Sequence, residues 1–242
     1  LHYPNLGFIL LFLGGMFVPF AGPGGFNASI LTVILNWRTA EMTLRATEAA
    51  LAALEGVSGG LVIVDNDSQD GSFEQLCHHV ATCGWDKGPQ QVRVIQSGHN
   101  GGFGAGNNFG IRAGLPDGAR PDYVYILNSD AFPAPGAIRA LLTHLDTHPA
   151  TGFAGSHIHS PEGEAHRTAF RFPSILGEFE QNIRFGPVSK LLARWIVAQP
   201  LPAVTTRVDW LAGASLMMRQ SVLDQIGLFD ETFFLYYEET DL

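Results

Sequence analysis

Short runs of β-branched and other apolar residues alternate with helix-forming stretches from Ala28 to about Thr151. The clearest run is Ile30–Leu35, and the clearest helical stretch is Glu41–Glu55, which is rich in Ala and Leu. Strands that alternate with helices are typical of βαβ units, in which a mostly parallel sheet is flanked by helices. The sequence therefore predicts an α/β fold of the Rossmann-like type.

The same reasoning predicts further elements along the chain. Strands are predicted at Leu61–Val64, Val92–Ile95 and Tyr123–Leu127, and helices at Ser72–Val80, Ala105–Ala113 and Pro135–Leu145. After Thr151 the pattern loosens, and it indicates strands within Gly152–His157, Ala165–Phe172 and Val208–Met218 and a short helix at Ser221–Gly227. Because parallel α/β sheets bind ligands at the carboxyl ends of their strands, the polar clusters that follow these strands are the candidate site.

Composition excludes one large class of partner. The formal net charge is -9, with 14 Lys and Arg against 23 Asp and Glu, so the chain has no electrostatic footprint for DNA or RNA. We therefore expect no nucleic-acid partner. The two cysteines, Cys77 and Cys83, form neither a CxxC pair nor a disulfide framework, which fits a reducing compartment.

The first 26 residues differ from the rest. Leu6–Phe20 is almost wholly apolar, but it is short for a membrane span and no basic residue precedes it, as a signal peptide would require. The interpretations left open are a fragment end, a translated upstream region and an extension that associates with a membrane. We expect residues 1–26 to lie outside the fold and one domain to occupy residues 27–242.

Asn128-Ser129-Asp130 follows a hydrophobic strand directly. Carboxylate and amide oxygens at a strand end suit Mg²⁺ or Mn²⁺, and one carboxylate suffices when phosphates supply other ligands. A plain Asx turn explains the same residues without a metal. From the residues alone, both readings stay open.

Two other clusters also connect a strand to a helix. The first runs from Asp65 to Ser72, and in it Asp65 and Asp67 can accept hydrogen bonds from a base or a ribose, although Asp70 or Ser72 also suits a helix N-cap. The second runs from Asn100 to Gly110, where many glycines permit close approach of a phosphate or sugar. It lacks the last residue of the dinucleotide fingerprint and does not follow the first strand, so we discount a dinucleotide site.

The chain ends on an acidic cluster behind the aromatic run Phe233–Tyr237. Aromatic surroundings raise the pKa of a carboxyl group by desolvation, which suits a carboxylate of this cluster, Glu238, Glu239 or Asp241, to act as a general base. A solvated helix start, which favours acidic residues, is the alternative reading. The histidine pairs His144/His148 and His157/His159 lack an evident third ligand and are expected to be structural.

Six motifs carry a resemblance to a known family when they are taken in order. They are Val33–Trp37, Val64–Ser72, Asn100–Gly110, Leu127–Asp130, Trp210–Ala214 and the stretch from Phe229 to Leu242. Together they resemble family 2 glycosyltransferases of the GT-A fold, particularly the rhamnosyltransferase-like branch. The resemblance covers Ile30–Leu242.

The resemblance implies a role for each motif. Asn36, Asp65, Asp67, Asn100, Asn107, Asn108 and Asn128 would line the nucleotide and sugar pocket. Asp130 would be the principal ligand of Mg²⁺ or Mn²⁺, since the first residue of the family's DXD-type motif is Asn128 here. Trp210, Gly213 and Ala214 would lie beside the donor sugar and the acceptor. Glu239 would be the catalytic base, where the family has Asp, with Glu238 in reserve.

The implied activity is an inverting transfer of a sugar, rhamnose in this branch, from a nucleotide diphosphate to a hydroxyl of a glycan or lipid-linked acceptor. The branch also implies a bacterial protein of cell wall or polysaccharide biosynthesis, located in the cytoplasm at the inner face of the plasma membrane, with peripheral membrane contact. Two rival readings are a nucleotidyltransferase of related architecture and a non-catalytic domain that binds nucleotide sugars. Family members usually continue beyond such a point, so we expect a domain truncated at its C-terminal end.

Overall fold

The computed structural model describes residues 28–160, 162–172, 174–175, 197 and 204–242, together with the backbone of residues 7–11. Its strands in chain order are β1 (Gly7–Leu11), β2 (Ser29–Asn36), β3 (Ser58–Asp65), β4 (Val92–Gln96), β5 (Tyr123–Asn128), β6 (Thr151–Ser156), β7 (Ile158–His159), β8 (Ala165–His166), β9 (Ala169–Phe170), β10 (Thr206–Val208), β11 (Trp210–Leu211) and β12 (Ser215–Arg219). The helices are α1 (Ala40–Ala53), α2 (Ser72–Thr82), α3 (Gly102–Ala113), α4 (Ala137–Thr147), α5 (Gln220–Ile226) and α6 (Glu238–Asp241).

Within these residues, eight strands form one sheet in the order β10-β1-β6-β12-β5-β2-β3-β4. The half of the sheet formed by β5, β2, β3 and β4 is parallel, and β12 runs antiparallel to both β5 and β6. This is the mostly parallel α/β sheet that the alternating pattern predicts. The crossover helices return each parallel strand to the same direction, so β2, β3, β4 and β5 all end at one edge.

Helices pack on both faces of the sheet and bury two hydrophobic clusters. On one face Ile34, Ile63 and Leu127 pack with helical side chains such as Leu141. On the other face Val33, Val64 and Ile126 pack with side chains that include Ile111 of α3. Each fully buried side chain of this size contributes about 1.5–3 kcal/mol by leaving water. These two layers hold the strand ends, and the polar residues that follow them, in fixed positions.

The later strands are shorter than the sequence predicts. The predicted strand within Ala165–Phe172 is divided into β8 and β9, and the one within Val208–Met218 into β10, β11 and β12. The last division leaves Ala212–Ala214 as a turn between β11, which pairs with β9, and β12, which joins the main sheet. Because β11 and β12 serve different sheets, one continuous strand cannot span both.

β1 comes from the apolar extension that the sequence indicated to lie outside the fold. It pairs in parallel with β6 and antiparallel with β10, so these five residues belong to the main sheet. The remainder of residues 1–26 lies outside the described residues. No helix in the part of the chain that the structure describes is both long and apolar enough to cross a bilayer.

Helix α3 begins at Gly102, inside the glycine-rich stretch and three residues before the predicted start. The side-chain oxygen of Asn100 accepts a hydrogen bond from the Gly102 amide (3.0 Å), and the Phe103 amide donates to the carbonyl oxygen of Phe234 (3.0 Å). Gly102 has a φ of +86°, and a Cβ there would lie 2.0 Å from the Phe234 oxygen. The glycine therefore allows the segment before α6 to sit directly on the start of α3.

This close approach predicts unequal effects of two matched substitutions. Gly136 has a φ of +82° and nothing within 4 Å of the point where a Cβ would lie, whereas Gly102 has the Phe234 oxygen there. A left-handed Ala costs roughly 1–2 kcal/mol at either site. We expect Gly102→Ala to lower the free energy of unfolding by about 1–3 kcal/mol more than Gly136→Ala, because backbone must move to admit the methyl group. Urea denaturation of both variants measures the difference, and equal losses would show that the contact is unimportant.

Candidate active site

The carboxyl ends of four parallel strands bring the candidate residues to one edge of the sheet. Asn36 of β2 lies opposite Asp65 of β3, and Leu35 lies opposite Asn128 of β5. Asp65 lies in turn opposite Gln96 of β4. The polar clusters that the sequence placed after separate strands are therefore neighbours in space.

Asp65 is fully buried, yet its carboxylate is well supplied with hydrogen-bond donors. One oxygen accepts from the Asn36 amide (2.7 Å) and the Ser68 hydroxyl (2.5 Å). The other accepts from the Ser68 backbone amide (3.2 Å) and the Gln96 amide (3.3 Å). A buried carboxylate needs such donors to offset its lost hydration.

Asn36 is also fully buried, and both ends of its amide are in use. Its nitrogen donates to Asp65 and to the Ser68 hydroxyl (3.2 Å), while its oxygen accepts from the Thr43 hydroxyl (2.8 Å) and from the Thr39 amide (3.3 Å). These bonds tie β2 and β3 to the start of α1. The arrangement favours a role for Asn36 in holding the site together rather than in touching a nucleotide.

Three non-glycine residues at this edge have left-handed backbone conformations: Arg38 (φ 58°), Asp67 (φ 57°) and Gln69 (φ 54°). Each costs free energy that the surroundings must offset, and such residues cluster at functional sites. Here Ser68 supplies part of the support, because its hydroxyl accepts from the Arg38 amide (2.9 Å) and its carbonyl accepts from the Arg38 guanidinium (3.0 Å). Asp67 is half-buried and accepts a hydrogen bond from the Gln69 side chain (2.9 Å).

Helix α3 holds the three asparagines of the glycine-rich stretch in different environments. Asn100, just before the helix, accepts from the Asn66 side chain (2.8 Å) as well as from Gly102. Asn107 is fully buried and donates to the Phe103 carbonyl (3.0 Å), while its own oxygen has no hydrogen-bond partner among the described residues. An unpartnered buried acceptor is costly, but the full burial of Asn107 leaves no surface at which a ligand could meet it directly.

Asn108 has a different role in the structure. It is fully buried; its nitrogen donates to the Phe229 carbonyl (2.8 Å) and to the Glu231 carboxylate (2.9 Å), and its oxygen accepts from the Phe229 amide (3.1 Å). These bonds fasten the segment that leads to α6 onto α3. With its amide committed in this way, Asn108 positions the pocket wall and has little capacity left for a sugar.

The loop that contains Asp130 is held at both sides. The backbone amide of Asn128 donates to the Ala214 carbonyl (3.0 Å), and the Ser129 hydroxyl accepts from the Thr39 hydroxyl (3.3 Å). The Asp130 side chain is exposed and open to a ligand. Its carboxylate, with the Ser129 hydroxyl and the Asn128 amide close by in sequence, is a set of hard oxygen donors that fits Mg²⁺ or Mn²⁺ bound to a diphosphate. Across the described ranges no three His, Cys, Asp or Glu side chains form a metal-binding group, so phosphate oxygens would have to complete the coordination.

Of the two candidate bases, Glu239 has the surroundings that a base requires. It is half-buried, and one carboxylate oxygen accepts a hydrogen bond from the Gly213 amide (3.0 Å). Burial raises the pKa of Glu239, an effect that the Gly213 hydrogen bond opposes and the neighbouring charge of Glu238 reinforces. Glu238 is 1% exposed, and its Oε2 atom lacks a partner within the described part of the chain. A carboxyl group enclosed to that degree is poorly placed to meet a substrate.

The residues expected beside the sugar are joined to these two loops. Gly213 donates to Glu239, and Ala214 accepts from Asn128, so one turn connects the candidate base to the candidate metal loop. Trp210 is half-buried; its indole stacks on Phe170 (ring centroids 4.2 Å apart) and donates to the Arg171 carbonyl (3.0 Å). Trp210 thereby anchors β11 beside the turn.

The aromatic run before α6 does not surround the base as its sequence suggested. Phe234, Leu235, Tyr236 and Tyr237 are 53 to 71% exposed, and both tyrosines have left-handed φ angles. A ring that does lie near Glu239 is that of Phe103, which sequence reasoning did not select: both side chains approach the point where a Cβ of Gly213 would lie. A position for Phe103 near the base could be inferred only from the contact between α3 and the end of the chain.

Comparison with known proteins agrees with this architecture. Residues 29–194 match the family described as Glycosyl transferase family 2. The chain is 30% identical over 195 residues to the N-acetylglucosaminyl-diphospho-decaprenol L-rhamnosyltransferase of Mycobacterium tuberculosis. The aligned region covers 75% of this chain and 59% of that protein. The chain is 28% identical over 219 residues to the low-salt glycan biosynthesis hexosyltransferase Agl10 of Haloferax volcanii, covering 86% of this chain and 58% of that protein. The chain thus spans less than two thirds of the length of these relatives.

Solved structures share the fold at lower identity. A mannosyltransferase from Pyrobaculum calidifontis, PcManGT in complex with GDP-Man and Mn²⁺, matches with a TM-score of 0.52 at 14% identity, over 84% of this chain and 47% of that one. TarS 1-349 of S. aureus matches with a TM-score of 0.53 at 14% identity, over 87% and 52% of the two chains. The fold is the GT-A nucleotide-diphospho-sugar transferase fold that the resemblance implied. With the family match extending over most of its length, the chain belongs to glycosyl transferase family 2.

Proposed function

We propose that this domain transfers a sugar from a nucleotide diphosphate to an acceptor hydroxyl, with inversion at the anomeric carbon. The observation that carries the proposal is a row of hydrogen bonds along one edge of the sheet. It joins the Asp65 cluster (Asp65 with Asn36, Ser68 and Gln96) to the Asp130 loop (Asn128-Ser129-Asp130) through Thr39, and that loop to Glu239 through the Gly213–Ala214 turn. A nucleotide site, a diphosphate site and a base in one connected row are what such a transfer needs.

Each group has a distinct task in this mechanism. Glu239 accepts the proton of the acceptor hydroxyl while the hydroxyl oxygen forms a bond to the anomeric carbon. The bond from that carbon to the diphosphate oxygen breaks in the same step, so the configuration inverts. A divalent cation, held by Asp130 with the oxygens of Asn128 and Ser129 nearby, would neutralise charge on the departing diphosphate. The rigid strand ends contribute by holding donor and acceptor in line.

The nucleotide is proposed to lie over the Asp65 cluster. Asp67 supplies acceptor oxygens for base and ribose groups, and Asn100 supplies a side-chain amide beside the sugar. Asp65 and Asn107 are fully buried, and both oxygens of Asp65 already accept hydrogen bonds, so these two residues are proposed to shape the pocket from beneath. Asn36 and Asn108 are proposed to position this pocket, since their own amides are used within the protein. Trp210, Gly213 and Ala214 form the side at which the acceptor enters.

The relatives suggest the substrate class. The Mycobacterium tuberculosis relative is named as a rhamnosyltransferase acting on a diphospho-decaprenol-linked N-acetylglucosamine, and the Haloferax volcanii relative as a hexosyltransferase. We propose a rhamnose or related hexose donor and a glycan or lipid-linked acceptor. Such an acceptor would place the reaction at the inner face of the plasma membrane, with the protein in peripheral contact.

Transfer and donor hydrolysis with a panel of nucleotide sugars, including a dTDP-linked rhamnose, test this function. We expect turnover of one donor that stops when EDTA removes the divalent cation. Donor binding without any turnover would support the rival reading of a non-catalytic nucleotide-sugar-binding domain. Formation of a nucleotide sugar and pyrophosphate from a sugar 1-phosphate and a nucleoside triphosphate would instead support a nucleotidyltransferase.

Replacement of the proposed metal ligand should uncouple nucleotide binding from the cation. We expect Asp130→Asn to weaken Mn²⁺-dependent binding of the nucleotide diphosphate at least about tenfold, a loss of ~1.4 kcal/mol. Asp86→Asn, an exposed Asp between α2 and β4, is the matched control and should bind as the wild type does. Titration calorimetry with and without Mn²⁺ measures both. Equal affinities for Asp130→Asn and wild type would exclude Asp130 as the metal ligand.

Replacement of the proposed base should separate activity from stability. Because burial raises the pKa of Glu239, the folded state binds its proton more tightly than the unfolded chain does, so this group's contribution to stability is lost as pH rises through the folded-state pKa. Glu239→Gln stays neutral and keeps an oxygen for the Gly213 amide. At pH 7 we expect unchanged or greater stability than wild type, with transfer reduced roughly 10²–10⁴-fold.

The pH dependence supplies the control for that variant. The stability difference between Glu239→Gln and wild type should shrink as pH falls from the folded-state pKa of Glu239 toward about pH 4.3, below which a glutamate of the unfolded chain is also protonated and the difference is lost. Asp241→Asn, an exposed position on the same helix, should change neither stability nor activity appreciably. Thermal denaturation across pH, paired with transfer assays, measures these effects. Near-normal activity of Glu239→Gln would remove Glu239 from the mechanism.

A further inference from the structure

The ring of Phe103 lies against the same glycine that binds the proposed base. A methyl group built on Gly213 would be 2.7 Å from Cζ of Phe103 and 2.8 Å from Oε1 of Glu239. Both atoms thus lie close to one point, and they are at most about 5.5 Å apart. An aromatic edge and a carboxylate oxygen therefore border the same small space, which Gly213 leaves open by having no side chain.

Phe103 is held in this place by three independent contacts. Its backbone amide donates to the Phe234 carbonyl (3.0 Å), and its carbonyl accepts from the Asn107 side chain (3.0 Å). Its ring meets the buried ring of Phe229 edge to face, with centroids 5.9 Å apart and an interplanar angle of 68°. The two hydrogen bonds fix the backbone of Phe103, and the third contact packs its ring against Phe229.

Within the part of the chain that the structure describes, the elements that hold Glu239 carry few charged groups. The Trp210–Ser215 turn and the first two turns of α3 contain no ionisable side chain. On its own helix Glu239 has Glu238 and the exposed Asp241, and the preceding segment has Asp230 and Glu231. Hydrogen bonds from Thr232 and from Asn108 and Arg112 lower the pKa values of Asp230 and Glu231, respectively. Of the causes that act on the pKa of Glu239, burial has a larger effect than the neighbouring charge of Glu238.

We propose that Phe103 is a positioning residue for the base: its ring edge excludes water from one side of the Glu239 carboxylate and so makes it a stronger proton acceptor. The proposal rests on the proposed function of Glu239. The glycine-rich stretch would then have two tasks. Its glycines permit close approach of the donor, and Phe103 in the first turn of α3 strengthens the base that takes the acceptor's proton. The direction agrees with the raised pKa of Glu239, whose largest cause is burial.

Three variants test the proposal. Phe103→Ala admits water beside Glu239, Phe103→Leu keeps an apolar side chain there, and Phe109→Ala removes a ring that is 38% exposed elsewhere on the same helix. The readouts are the acidic limb of the pH dependence of kcat/KM and the pH titration of the Glu239 side-chain carboxyl carbon by NMR. The NMR titration needs no turnover, so it distinguishes failure of this proposal from failure of the proposed function.

For Phe103→Ala we expect the NMR titration and the acidic limb to move together to lower pH, toward the range of an ordinary glutamate. The alkaline plateau of kcat/KM should fall by less than about tenfold, since the base itself remains. Phe103→Leu and Phe109→Ala should titrate as the wild type does. If Phe103→Ala fails to fold, Phe103→Gln, which brings a polar group to the same place, must show the same shift. An unchanged Glu239 titration in a folded Phe103→Ala or Phe103→Gln protein would overturn the proposal.

Discussion

The buried carboxylate of Asp65 is the constraint on which the rest of the site depends. A charge removed from water at the end of a central strand must be met by donors from its surroundings, and here Asn36, Ser68 and Gln96 supply them from neighbouring elements. To do so, the chain after β3 adopts left-handed conformations at Asp67 and at a second residue two positions later. The side chains of Asn36, Ser68 and Gln96 therefore form a hydrogen-bond network around the Asp65 carboxylate, and removal of any one donor would leave that charge partly unsatisfied.

From this network a continuous path of hydrogen bonds leads to the proposed base. Thr39, which bonds to Asn36, also bonds to the loop that contains Asp130, and the start of that loop bonds to the turn that holds Glu239. The end of the chain is fastened separately onto α3 by Asn108. The proposed nucleotide, diphosphate and acceptor sides thus form one connected frame, in which a displacement at one end has a physical route to the other.

The sequence predicts the parts of this site that depend on local patterns. Alternating strands and helices locate the polar clusters at strand ends, and parallel pairing then requires those ends to meet at one edge. What local patterns cannot reveal are side-chain choices made across long separations. Asn36 and Asn108 look alike as polar residues near a pocket, yet their amides are satisfied by partners up to 123 residues away. Phe103 likewise looks like an ordinary apolar residue of a glycine-rich stretch, because its place near the base depends on the packing of the chain end on α3. The aromatic run before α6, by contrast, looks in the sequence like the surroundings of the base but is exposed in the structure.

Hydrogen exchange of the wild-type chain tests the central claim, that these loops form one connected frame, most directly. Backbone amide exchange is compared with and without a nucleotide diphosphate and Mn²⁺, which are expected to contact only the Asp65 cluster and the Asp130 loop. We expect the amides of Asn128 and Gly213 and those of α6 to gain protection together with the amides after Asp65, because the same hydrogen bonds join them. Protection confined to the nucleotide-binding loops, with Gly213 and α6 exchanging as in the free protein, would contradict that claim.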